Sequence, residues 1–307
     1  MAKKTSPKWL IYMEYVPFYL LYKFMHMISL KTAYRLSGFL ISILYYIDIR
    51  HRKRTISHLL HAGVARDRKE AAIMAKKTFQ EFSKLLVEIV KMDQCYDLSK
   101  IKVIGPKETV DRVLSREHPN RNVIIATAHY GNWEVAGTAF SEYSGINMLS
   151  IMRPFDNPLV GELILAHRRS KVHELVDKRG SVRPVLKALQ QGRNISILID
   201  QHASYLEGVE NVFFGHPCRT HMTPALLHLK TGVPILPELT RRAGDNFEFE
   251  IVVGDLIEYK PTGDKDKDVR EITQLCTTAL EKLIAQQPEQ WMWAARRWLD
   301  IDRNKKK

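Results

Sequence analysis

The sequence predicts an α/β fold: a largely parallel sheet flanked by helices, behind an N-terminal apolar membrane-associating helix. Three observations predict it. From about residue 100 onward, short β-rich runs alternate with helical stretches. Those runs are almost continuously apolar, as strands buried on both faces must be. Ahead of them, residues 9–30 form a long greasy stretch between basic residues.

The N-terminal stretch is about long enough to cross a bilayer. It carries Glu14, Pro17, Lys23 and His26, and each charge near a bilayer centre costs a few kcal/mol. A shallow interfacial helix is therefore expected, with Tyr12, Tyr15, Tyr19 and Tyr22 suited to the headgroup boundary. No small-residue cleavage site follows, so a removed signal peptide is not expected. A second apolar run, 36–47, is too short to span. The cluster Arg50-His51-Arg52-Lys53-Arg54 comes next, and Lys305, Lys306 and Lys307 end the chain. Basic residues beside an apolar anchor add roughly 1 kcal/mol each of attraction to an anionic membrane surface.

Residues 68–92 place Phe79, Phe82, Leu85, Leu86, Ile89 and Val90 at helical spacing. Strands are expected at 123–128, 146–152, 195–199, 233–239 and 247–253, and helices at 133–143, 158–170, 181–191, 223–231 and 269–287. No repeat or low-complexity linker interrupts the series. Residues 1–55 are read as anchor and basic juxtamembrane segment, and 56–307 as one catalytic domain.

Composition narrows the class of protein. The 307 residues are 45% hydrophobic and 26% charged, which excludes a disordered or collagen-like chain. A formal charge of +13 asks for an anionic partner. Nucleic acid is not expected, because the basic residues show no aromatic interleaving or binding motif. Three scattered cysteines make neither a disulfide framework nor a CxxC site, and favour a reducing compartment. GxGxxG, phosphate-loop and HExxH patterns are missing. Residues 263–268 open like a calcium loop, yet Val269 stands where glycine is needed and Leu275 where a bidentate Glu is needed. His58 and His61 share a helix face without a third ligand, and are expected at the surface. Neither metal nor cofactor is expected.

One motif stands out: His129-Tyr130-Gly131-Asn132-Trp133-Glu134, at the end of an apolar strand where a helix opens. Spacing alone is weak, since chance supplies about one such His–acid pair in a chain of this composition, and His202 with Glu207 is a decoy. Context separates the two. At a strand–turn–helix corner the His129 ring can fold back onto Glu134, which would fix its tautomer and stabilise the imidazolium once formed. The helix N-terminus offers free N–H groups, near Gly131 and Asn132, to a developing oxyanion. Such a dyad can take a proton from an alcohol. The alternative is plain architecture: with Gly131 at the N-cap, Glu134 falls at N3 and completes a capping arrangement, and His129 is a core histidine.

Two residues tip the balance. Arg153 and Asp200 each follow a predicted strand, and the carboxyl ends of parallel strands share one edge, where ligands bind. The adjacent Phe213 and Phe214 either line an apolar ligand's path or pack in the core.

Taken in order, these features resemble the late (lauroyl or myristoyl) lipid A biosynthesis acyltransferases of the lysophospholipid acyltransferase-like group. The resemblance runs over nearly the whole chain. It rests on the apolar N-terminus with its basic residues, the HX4E box of His129 and Glu134, Arg153-Pro154 with Asn157-Pro158, and Gly180-Ser-Val-Arg183-Pro. Asp200-Gln201, Phe213-Phe214-Gly215, and Pro288-Glu-Gln-Trp291-Met-Trp293 ahead of Arg296-Arg297-Trp298 complete it. Thr223, before Pro224-Ala225, departs from the glycine expected there.

The resemblance implies transfer of a fatty acyl chain from acyl-carrier protein to a hydroxyl of a membrane glycolipid. That acceptor is a lipid A precursor, met at the cytosolic face of the bacterial inner membrane. His129 would be the base and Glu134 its orienter, with Arg153, Asp200, Gly131, Asn132, Phe213, Phe214 and Arg183 at the substrates. The same chemistry on another glycolipid, such as a mannosylated phosphoinositide, is the nearest alternative, and a non-catalytic lipid-binding protein is a more distant one. Transfer is expected to be direct, because no Ser or Cys occupies the corner and no GxSxG elbow exists.

Overall fold

The computed structural model describes residues 7–115, 121–152, 154–166, 172–178 and 180–299. Three helices lead the chain: α1 (Lys8–Met27), α2 (Leu30–Ile47) and α3 (Ile49–His61). Their breaks have local causes. Ser29 caps α2 by accepting from the Thr32 N–H, and Asp48 caps α3 by accepting from the His51 N–H. The long α4 (Arg68–Val90), capped by Asp67, receives α2 and α3, and a single turn, α5 (Met92–Cys95), follows it. Tyr45 of α2 donates to the Ala72 carbonyl, and Tyr34 donates to Glu88 at 2.9 Å, so the apolar N-terminal helices are bound into the body of the protein.

Next in the chain are β1 (Ile101–Ile104), α6 (Lys107–Leu114), β2 (Ile124–Thr127), α7 (Trp133–Ser144), β3 (Met148–Met152) and α8 (Pro158–Ala166). After them come β4 (His173–Asp177), α9 (Val182–Gln190), β5 (Asn194–Leu198) and a hairpin, β6 (Gly208–Phe213) with β7 (His216–His221). The chain closes with α10 (Thr223–Thr231), β8 (Ile235–Arg242), β9 (Phe249–Val253) and α11 (Lys265–Ile284).

Seven strands form one sheet in the order β1-β9-β8-β2-β5-β3-β4. It is parallel except where β9 turns back antiparallel on β8. A loop of residues 243–248 allows only that return, because a parallel partner needs a crossover of a dozen residues or more. The largely parallel sheet expected from the apolar runs is therefore present. Alternation along β2 sends Ile124 and Ala126 to one core, with Val185, Ile272 and Leu280 of the overlying helices, and Ile125 to the other, with Val135 and Phe140 of α7.

Among the described residues no helix is long and apolar enough to cross a membrane. Many large apolar side chains of α1 and α2 nevertheless face outward, including Trp9, Met13, Leu20, Met27, Phe39, Leu40, Tyr46 and Ile47. Of the two histidines expected at the surface, His58 is fully buried, with Nδ1 2.9 Å from the Trp293 carbonyl oxygen, and His61 stacks on His216.

Candidate active site

The site forms where β2 and β5 end side by side. Two residues past β2 stands His129, and two past β5 stands Asp200. Parallel neighbours with matched ends bring these loops together, as a sheet's carboxyl edge is expected to do. His129 Nδ1 lies 2.8 Å from Asp200 Oδ1, and the His129 backbone N–H donates to Asp200 Oδ2 at 3.0 Å. The Trp291 indole N–H donates to the same oxygen at 2.8 Å. An ionised carboxylate only accepts, so this geometry places the ring proton on Nδ1 and leaves Nε2 unprotonated, an acceptor that the Gln201 amide approaches at 3.4 Å.

The charges fit that arrangement. Burial opposes a charge on His129, but the Asp200 carboxylate, its hydrogen bond and the Glu134 charge together raise the imidazole above its ordinary value. Burial likewise opposes ionisation of Asp200, and is outweighed by His129, the Trp291 indole and the backbone donor, which hold it below the usual carboxylate range.

The brace on Nδ1 is thus Asp200, not Glu134. Glu134 acts on the ring through its charge, from the first turn of α7, where its N–H donates to Asn132 Oδ1. The cap is also one residue later than the sequence reading placed it: Asn132 caps α7, accepting from Glu134 and Val135. Gly131 instead supplies the bend, at φ 52°, and its would-be Cβ would lie 2.1 Å from the Thr240 carbonyl oxygen.

The N–H groups expected near Gly131 and Asn132 are already committed within the corner. The N–H groups of His129, Tyr130, Gly131 and Asn132 donate to Asp200, Ala128, Gln290 and Thr240, respectively. Asn132 is buried, and its amide donates to Glu88, so it braces the corner rather than meeting substrate. Side chains can supply further donors for an oxyanion. Gln201 qualifies by position, with its Nε2 3.4 Å from His129 Nε2.

His129, Gly131, Trp133 and Gln201 open onto a cavity of about 540 Å³. Its apolar wall is built by Ile41 and Leu44 of α2 and by Phe79, Phe82 and Leu85 of α4; Trp291, Met292 and Ala294 close the far side. Arg54, His51 and Arg296 add positive or titratable groups to the same lining. The carboxylates there have partners: Asp48 meets His51 at 2.7 Å, and Glu81 meets Arg242 and Lys84.

The remaining expectations divide. Phe213 and Phe214 do not line the cavity. Phe213 is buried behind Asp200 against Trp291 and Trp298, and Phe214 packs on Trp293, so the pair belongs to the core. Arg183 lies exposed in the first turn of α9, outside the cavity lining. Arg153 lies outside the described residues, as does the basic terminus 303–307. Sequence reasoning assigns no role to Trp291 or Gln201; the signal for both is their place in the Asp200-Gln201 and Trp291-Met-Trp293 strings that carry the family resemblance.

The chain is 25% identical over 201 residues to a phosphatidylinositol mannoside acyltransferase of Mycobacterium tuberculosis (strain ATCC 25618 / H37Rv), covering 64% of this chain and 60% of that one. A Mycolicibacterium smegmatis protein of the same description is 23% identical over 194 residues, 62% of this chain and 61% of its own. A lipid A biosynthesis palmitoleoyltransferase of Escherichia coli (strain K12) is 22% identical over 227 residues, 73% and 71% of the two chains. The match thus spans about three fifths of the length of the mycobacterial relatives. The family described as bacterial lipid A biosynthesis acyltransferase matches residues 17–300, and the chain belongs to that family.

Proposed function

We propose that the protein transfers a fatty acyl chain from an acyl thioester, carried by acyl-carrier protein, to a hydroxyl of a lipid A precursor at the cytosolic face of the inner membrane. One observation carries the reading: a histidine with a braced Nδ1 and an unprotonated Nε2 opens into an apolar cavity. The helix that walls this cavity, α2, turns other apolar residues outward. An acyl chain fits such a wall, and an outward apolar face with Arg50, Arg52 and Lys53 beside it suits an anionic bilayer.

The chemistry follows from the geometry. Nε2 of His129 takes the hydroxyl proton as the alcohol oxygen bonds to the thioester carbonyl carbon, a step for which a positioned base is worth about 10²–10⁴-fold. Asp200 holds the tautomer and stabilises the imidazolium, and Glu134 adds its charge. The carbonyl oxygen becomes an oxyanion, for which the Gln201 amide and the Arg296 guanidinium at the cavity are the candidate donors. Collapse breaks the C–S bond, and the imidazolium returns its proton to the departing thiolate. The ester forms without an acyl-enzyme, and no cofactor is needed for any step.

A second acceptor is supported by a specific observation, since two of the relatives above are described as phosphatidylinositol mannoside acyltransferases. Purified protein supplied with labelled acyl thioesters, on carrier protein or coenzyme A, and with either glycolipid in vesicles separates the cases by mass spectrometry. Transfer to the lipid A precursor is expected, and His129→Ala is expected to abolish it while vesicle binding persists. Transfer by His129→Ala at the wild-type rate would refute the role of His129.

A further inference from the structure

Behind Asp200 lies a second charged group that the reaction as described does not use. Arg297 is 1% exposed, although a guanidinium keeps its proton even when buried. Among the described residues no carboxylate lies within ion-pair distance of it, and its Nε has no hydrogen-bond partner. Its terminal nitrogens are committed elsewhere. Nη2 donates to Thr220 Oγ1 at 2.7 Å, and Nη1 points at the carbonyl oxygens of Gln201 and Arg219, 3.5 Å from each. The guanidinium carbon sits 4.6 Å from the centre of the Phe213 ring.

A buried charge without its own counter-ion is costly, and two long carbonyl contacts, one hydroxyl and a ring face offset only part of that cost. The anion that acts on it most directly from the active site is Asp200, one residue before the Gln201 carbonyl that Arg297 faces. The aromatic layer is shared as well: the Phe213 ring beneath Arg297 also packs on Trp291, whose indole holds Asp200.

We propose that Arg297 is a positioning residue for acyl transfer, which fixes the Asp200–Gln201 segment against His129 and keeps a positive charge behind the Asp200 carboxylate. The inference rests on the reading of His129 as the base. Two things follow from it. The grip on the Gln201 carbonyl orients both the brace and the side-chain amide that lies beside Nε2. The charge also opposes a second positive charge on the ring, so its loss makes the His129–Asp200 pair bind a proton more tightly.

Other groups face this cluster. Cys218 and His221 of β7 stand near Arg297, and Lys178 and Glu207 act on His221. Glu134 acts on His129, Glu281 of α11 reaches the hairpin at the Phe214 N–H, and His58 and His61 pack on Trp298. All of these remain in place when Arg297 alone is changed.

The experiment uses the full chain with Arg297→Gln, Arg297→Lys and His129→Ala. It measures kcat and KM against pH, and the titration of the His129 ring by histidine-labelled NMR, with His129→Ala identifying the signal. For Arg297→Gln the acid limb and the ring midpoint are expected to move up together by roughly half to one pH unit. For Arg297→Lys, whose single ammonium cannot reproduce the fork, kcat is expected to fall between about tenfold and a hundredfold with KM little changed. Should Arg297→Gln not fold, the Lys variant decides alone. A rate loss in Arg297→Gln with both midpoints unmoved overturns the proposal, as does an Arg297→Lys enzyme equal to wild type. Undiminished transfer by His129→Ala would instead sink the reading of His129 on which the proposal stands.

Discussion

Asp200 holds His129 twice, accepting from the ring at 2.8 Å and from the backbone N–H of the same residue at 3.0 Å. Ring and main chain are therefore locked to one carboxylate, and rotation of the imidazole breaks one bond while leaving the other. The tautomer is set by a residue 71 positions away in sequence.

The first prediction concerns which acid matters most. In Asp200→Asn the amide can present its NH2 to Nδ1, which moves the ring proton to Nε2 and removes the base. The kcat is expected to fall about 10³–10⁴-fold. Glu134→Gln removes charge without touching that bond and is expected to cost clearly less. Comparing the two rates by single-turnover assay checks the assignment, and equal losses would contradict it.

The pH dependence has a definite sign. His129 must be neutral to accept a proton, and its neighbours raise its value above the ordinary 6.5. The acid limb of kcat/KM is therefore expected above pH 6.5, with activity lost as pH falls through it. In any residual activity of Asp200→Asn the limb is expected to shift downward, because the carboxylate that raises the imidazole is gone.

Gly131→Ala tests the bend. A Cβ there would stand 2.1 Å from a backbone oxygen, at a φ of 52° that L side chains resist. A loss of roughly 3 kcal/mol or more is expected, visible as a lowered Tm, since the neighbour is main chain and cannot swing aside.

Glu238 on β8 is fully buried beside Thr240, whose hydroxyl donates to it at 2.6 Å, and burial pushes its value up to about 7 from 4.5. The unfolded chain releases this proton from about pH 4.5 upward while the folded protein keeps it until about 7, so stability declines across that window. Glu238→Gln does not titrate. Urea denaturation is expected to find it close to wild type near pH 4.5, and more stable by about 3 kcal/mol at pH 8.

The outward face of α2 is expected to meet the bilayer. Phe39→Glu and Tyr46→Glu each remove a large exposed apolar side chain. Co-sedimentation with anionic vesicles is expected to fall about tenfold or more for each, given 1.5–3 kcal/mol for burying such a group. Unchanged sedimentation of the double variant would argue against this face as the membrane contact.

Much of the architecture was legible because apolar periodicity reports burial directly. The mainly apolar runs that became β2, β5, β8 and β9, and the spaced Phe79, Phe82 and Leu85 of α4, needed no partner to be recognised. Other elements were not. β1 and β4 are short and half exposed, with burial alternating or fading along them, and the β6–β7 hairpin alternates polar with buried residues, so none of these made a continuous apolar signal. His58 carried no mark of its burial, because a polar residue's burial depends on what folds over it.

By itself the sequence determined the sheet-and-helix class, the apolar N-terminus, the His129 corner and the gathering of His129 with Asp200 at one sheet edge. Each follows from local pattern or from strand direction. Only the tertiary structure decided that Asp200 rather than Glu134 bonds Nδ1, that the N–H groups of residues 129–132 are already used, and that Phe213 lies behind the site instead of within it. These are matters of a few ångströms between distant segments. A hydrogen bond depends on where two loops meet in space, and sequence spacing along one of them does not fix that meeting.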